Sequence, residues 1–256
     1  MNGQTDNQTS AEHIITGGSE GAQQIIIPLS NVSASSQAPA ATSPYVNDVK
    51  AFFSKNLIQI LKDIFTSPIS GTRSLFTNAG NEAYQHGLIL IATIVVFFAL
   101  VPYILIGSQI RSAIGFGTFF KLGLSAGLAL VAISALSFGV KAISGKPDFK
   151  KELLTGGLCG IPLSLVALDI LFFMLANKDG IDFFNPESIL QQGAFSGIIL
   201  LYLALMLFNI IQQSFKAAGT NDALSWYLSP LVICIGFYIG TKIAMSIFGP
   251  SGYSPY

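Results

Sequence analysis

Five apolar runs, at about residues 87–107, 118–138, 153–175, 194–213 and 228–248, set the limits on what this chain can fold into. Each is about twenty residues long, which at 1.5 Å of rise per residue crosses a hydrocarbon core roughly 30 Å thick. A backbone in lipid must satisfy its own hydrogen bonds, so runs of this length are helices. Composition points the same way. Only 10% of the 256 residues are charged, against roughly 25% in soluble domains, too few to cover a water-facing surface. The reading is an all-α polytopic membrane protein with five transmembrane helices over 87–248, its two ends on opposite sides of the membrane.

Lysine and arginine placement sets the orientation. Lys50, Lys55, Lys62, Arg73, Lys141, Lys146, Lys150, Lys151 and Lys216 fall on the side of the N-terminal region. Arg111 and Lys178 fall on the other, with Lys121 and Lys242 in the helix ends nearest it, and the 176–193 loop there carries Asp179, Asp182 and Glu187. The expected topology has a cytoplasmic N-terminus and an extracytoplasmic or lumenal C-terminus. Net charge is zero, which supplies no basic field for nucleic acid.

Residues 1–45 are polar, with no lysine or arginine. They read as a disordered tail. The segment 46–86 follows as a cytoplasmic amphipathic helix and linker, and 249–256 as a short C-terminal tail. Within VNDVKAFFSKNLIQILKDIFT, Val46, Val49, Phe53, Leu57, Ile60 and Ile64 recur at three or four residues, one stripe of a helix. Such a helix lies in the membrane interface or packs on a protein partner or on the membrane domain. Pro68 and Gly71 end it.

The stretch SGKPDFKKELLTGGLCGIP, Ser144 to Pro162, has the look of a phosphate loop. It fails as one. A Walker A loop has four residues between its glycines and a hydroxyl residue after the lysine, whereas Gly139 and Gly145 enclose five and Pro147 follows Lys146. Pro147 offers neither N–H nor hydroxyl. Lys141, Lys146, Lys150 and Lys151 read instead as a basic loop facing lipid headgroups or a partner. Gly156/Gly160, Gly123/Gly127 and Gly236/Gly240 are spaced four apart, as in small-residue faces where helices meet. Three such faces in five spans imply a tight bundle or a homo-oligomer; with 25 glycines in the chain, chance spacing is the other explanation.

SGKPDFKKELLTGGLCGIPLSL resembles the third-span region of Yip1-domain membrane proteins, with Lys146, Phe149, Lys150, Gly157 and Pro162 where that pattern has them. The resemblance covers about residues 50–248. It implies five spans after a cytosolic N-terminal region and, by analogy with eukaryotic members, a place in membrane traffic and the binding of prenylated Rab-type GTPases. The stretch DIFTSP has Phe65 where a tyrosine is expected and Thr66-Ser67 in place of a glycine. That departure favours a divergent, bacterial-type member over one that binds GTPases.

Asp169 is the acidic residue set well inside an apolar run, and an intramembrane carboxylate is a functional candidate by default. Its expected partner is Lys242, then Lys121. The pair reads as a proton or cation site, or as a structural contact. No nucleophile and base, metal cluster or cofactor motif can be assembled from the sequence, so neither an enzyme nor a cofactor is expected. Two function classes follow. One is a non-enzymatic membrane organiser that binds lipid and a protein partner through its cytoplasmic helix and basic loop; the other is a small transporter or transporter subunit with Asp169 as its ion or proton site.

Overall fold

The computed structural model describes residues 44–248, apart from Asn81, 107–110, 112–114, Gly145 and 177–185, with the backbone alone at a few helix ends. The tail expected at 1–45 lies outside the described residues except for its last two, and the tail at 249–256 lies wholly outside them. Every element described is helical. In chain order these are α1 (Pro44–Ala51), a π turn (Phe52–Asn56), α2 (Leu57–Thr66), α3 (Ser70–Thr77), α4 (Ala83–Leu105), α5 (Phe116–Ser144), α6 (Phe149–Ala176), α7 (Pro186–Ala217) and α8 (Asp222–Phe248).

The helices α4 to α8 are the five long and apolar enough to cross a membrane, and the chain is an integral membrane protein. Helix α5 sits among α4, α6 and α8, while α7 packs on α6 and α8. Leu130, Ile133, Leu158, Ile210 and Ile211 are fully buried where these helices meet. The outer faces carry exposed Val96, Leu100, Phe120, Phe172, Ile198, Leu205 and Leu231, side chains suited to acyl chains.

The glycine faces are used within this bundle. A Cβ on Gly236 would stand 2.6 Å from Ile133 and one on Gly240 2.6 Å from Ala129, both on α5. Gly123 and Gly127 abut Val95 on α4, Gly156 abuts Leu130 and Ser134 on α5, and Gly160 abuts Ile94 on α4. Backbones approach closely because these positions lack side chains.

The connections at the N-terminal end of the bundle are tied by local chemistry. Asp148 caps α6, its Oδ1 accepting from Lys150 N at 3.1 Å. The α7–α8 connection turns at Gly219, φ 86°, a left-handed conformation natural to glycine after a helix end. Asn221 Oδ1 then accepts from Ala223 N at 2.9 Å and caps α8. Lys146 N donates to Ala218 O at 3.2 Å, joining the α5–α6 and α7–α8 connections.

The N-terminal helices fold against this end. Helix α3 packs on α7, and the Asn209 amide donates to Pro68 O. The predicted stripe slips partway along, since Ile60 and Ile64 are buried whereas Val46, Val49 and Phe53 are 52%, 40% and 40% exposed and Phe52 is fully buried. The π turn explains the slip. Leu57 N donates to Phe52 O, an i→i+5 bond that inserts one residue into the helical count and rotates the preceding face. The Phe52 ring then meets the His86 ring, centroids 5.1 Å apart, an aromatic contact worth about 1 kcal/mol beyond area burial. Accordingly, Phe52→Leu is expected to cost about 1 kcal/mol more than Phe53→Leu, read from thermal unfolding of the two variants in one detergent; equal costs are expected only if the stripe runs without the π turn.

Candidate functional site

Among the described residues, the charged side chains most strongly shielded from solvent lie where α5, α6 and α7 meet at the N-terminal end of the bundle. Lys141, in the last turn of α5, is 2% exposed, and Glu152, in the first turn of α6, 1%. Lys141 Nζ stands 2.6 Å from Glu152 Oε1 and donates to Ser214 Oγ, on α7, at 2.6 Å. Thr155 Oγ1 lies 2.7 Å from the same Ser214 Oγ. Three helices thus share one hydrogen-bonded ion pair. The rings of Phe76 and Phe215 flank the ammonium at 6.0 and 5.8 Å from their centroids.

Helical periodicity builds this cluster. Glu152 and Thr155 are three apart on α6 and therefore share a face, and Ser134, Ser137 and Lys141 follow one face of α5. Two buried hydroxyls near it, Thr72 Oγ1 and Ser137 Oγ, have no hydrogen-bond partner among the described residues. Thr72 is one turn from Phe76, and Ser137 one turn from Lys141. A cavity of about 280 Å³ opens beside the ion pair, lined by Lys141, Lys146, Lys151, Asp148, Glu152 and Ser214 among others.

A second cavity, about 670 Å³, lies between the N-terminal helices and the starts of α4 and α6, with Asn56, Gln59, Asp63, Glu82 and His86 among its lining. The Asn56 amide donates to His86 Nε2 at 3.0 Å, and Gln59 donates to Asp63 Oδ1 at 2.8 Å. The π turn ends at Asn56 and so brings that amide to His86.

Against the sequence expectations, Lys141 is the largest correction. It is not a loop residue facing lipid but a buried helical one, because α5 continues as far as Ser144, past the apolar run that ends near 138. Lys146 and Lys150 are exposed and Lys151 is half-buried. The expected pairing of Asp169 with Lys242 is not formed. Helices α6 and α8 are not among the closely packed pairs, Asp169 accepts instead from Ser196 on α7, and Lys242 lies over its own neighbour Tyr238, 5.7 Å from the ring centroid. Lys121 is exposed on α5.

Sequence reasoning missed Glu152, Thr155, Ser214, Asn56 and His86. For Glu152, Ser214 and His86 the signal was a polar residue just beyond an apolar run, whereas Thr155 lies inside the run 153–175 on the face of Glu152 and Asn56 lies in the amphipathic segment. Among the described residues no group of three or more His, Cys, Asp or Glu is placed to hold a metal. No family model matches the chain, and neither a curated protein nor a solved structure matches it.

Proposed function

We propose that this protein is a non-enzymatic membrane organiser of Yip1 type, with a cytoplasmic N-terminus, that engages a protein partner and the membrane surface through its N-terminal helices and basic loop. The observation that supports it is the two-sided N-terminal segment. Phe52, Ile60 and Ile64 are buried, while Val46, Val49, Phe53, Ile58, Phe65 and Ile69 remain exposed. Lys50, Lys55 and Lys62 lie on the same helices. An exposed apolar strip beside basic side chains suits a partner seated at the headgroup level. The basic majority on this side favours the cytoplasm.

A photocrosslinking residue at Val49 or Ile58, used in native membranes, tests this. The expected result is a discrete adduct with one partner, reduced about tenfold by Phe53→Ser, as loss of an apolar anchor worth about 1.4 kcal/mol implies. The transporter reading has its own support in the Asp169–Ser196 contact between α6 and α7. Ion flux through the purified protein that Asp169→Asn abolishes, with no adduct at Val49 or Ile58, would replace the organiser with a transporter.

A further inference from the structure

The cavity beside the buried ion pair has an excess of positive charge. Lys141, Lys146 and Lys151 line it against Asp148 and Glu152. Both carboxylates are already engaged. Glu152 holds Lys141, and Asp148 Oδ1 accepts from the α6 backbone. The Lys141 ammonium has three protons. Two go to Glu152 and Ser214, and among the described residues no acceptor within hydrogen-bond distance takes the third. A 2% exposed ammonium that lines a cavity and has a donor to spare is a group built for an incoming oxygen.

The size and surroundings narrow the ligand. About 280 Å³ is just below the range of pockets that enclose drug-sized molecules, too small for a nucleotide and ample for a phosphate with a short substituent. Lysines act as point charges for phosphate rather than as planar forks for carboxylate. Outside the lining but next to it in the chain are exposed apolar side chains, Ile143 at 91% and Phe149 at 54%, with the Phe149 ring edge-on to Phe138 at 5.8 Å. A phosphate arriving here arrives beside a surface suited to acyl chains.

We propose that this cavity binds the phosphate of an anionic phospholipid headgroup, with Lys141 as the buried donor and Lys146 and Lys151 as the charges that admit it. The inference rests on the organiser reading for its leaflet, since the cytoplasmic face is the one rich in anionic lipid. It turns the basic loop into a site with an interior. Lys150, exposed and outside the lining, has no part in it.

Native mass spectrometry of the purified full chain with phosphatidic acid or phosphatidylcholine tests the assignment. Lys146→Gln/Lys151→Gln is expected to lower phosphatidic acid affinity about thirtyfold, at about 1 kcal/mol for each basic residue, with phosphatidylcholine unaffected. Lys150→Gln, which removes one charge from the same loop outside the cavity, is the control for loop charge alone and is expected to cost no more than the roughly fivefold of a single surface charge. Inorganic phosphate that displaces phosphatidic acid from the wild type supports the shared phosphate chemistry; inorganic phosphate that raises the melting temperature while no lipid adduct forms overturns the lipid source. Equal occupancy in wild type and double variant, or an equal loss in Lys150→Gln, overturns the cavity as the site. Should either occur while the Val49 adduct persists, the organiser reading stands alone.

Discussion

Lys141→Met is expected to destabilise the protein by about 3–5 kcal/mol, the cost of leaving one member of a buried ion pair without the other. Glu152 is 1% exposed and accepts at 2.6 Å from the ammonium that the substitution removes. Among the described residues only Thr155 Oγ1, at 3.4 Å, would remain as a side-chain donor to it. A buried carboxylate so stripped must either stay charged against a low dielectric or take up a proton. Lys141→Met/Glu152→Leu removes both charges together and is expected to recover most of the loss, because an apolar pair of similar volume is often as stable as the ion pair it replaces. Unfolding of the two single variants and the double variant in one detergent gives the coupling directly. A double variant as unstable as the sum of the singles would show that the two side chains do not act as a pair.

The position of this pair also explains how far the sequence could be read. Composition marked the hydrocarbon depth of each span well, because twenty apolar residues in succession have few alternatives. It did not mark where the helices end. The run 118–138 belongs to a helix over Phe116–Ser144, 153–175 to one over Phe149–Ala176, and 194–213 to one over Pro186–Ala217. Lys141, Glu152 and Ser214 all lie in those polar extensions, beyond the apolar runs and still inside helices. A lysine just outside an apolar run looks like a loop charge, and only the arrangement of helices shows that a glutamate on the next one faces it. The first half of the amphipathic stripe, Val46 to Phe53, departs from its spacing for a different reason, while Ile60 and Ile64 keep it. Spacing of three and four residues assumes an uninterrupted α-helix, whereas the π turn at Phe52–Asn56 advances the count by one and exchanges Phe53 for Phe52. The glycine pairs were legible because close packing needs an absent side chain, a property that sequence displays directly.

Gly87→Ala is expected to cost about 3 kcal/mol, the upper end of ordinary overpacking, although alanine is by itself the better helix former. A Cβ there would stand 2.5 Å from Leu153 C, 2.6 Å from Leu154 N and 2.7 Å from Leu153 O. Each of these is a backbone atom, so no rotamer change relieves the contact and α4 must move away from α6. Gly157 on α6 faces the same place, since a Cβ on it would lie 2.9 Å from Gly87 O; the two backbones touch where both residues are glycine. Gly139→Ala supplies the comparison. It lies inside α5 with nothing within 4 Å of the added Cβ, and it is expected to stabilise by up to about 1 kcal/mol through helix propensity alone. Melting temperatures of the two variants in the same detergent should therefore move in opposite directions. The consequence of Gly87→Ala reaches beyond packing, for Leu153 follows Glu152 in the first turns of α6 and Gly87 follows His86 at the start of α4. Separating those helices shifts the ion pair that holds α5, α6 and α7 together and opens the contact between Phe52 and His86. One methyl group at Gly87 should thus loosen both the polar cluster and the seat of the N-terminal helices, and loss of the Val49 crosslink in Gly87→Ala but not in Gly139→Ala is the result that would tie the two together.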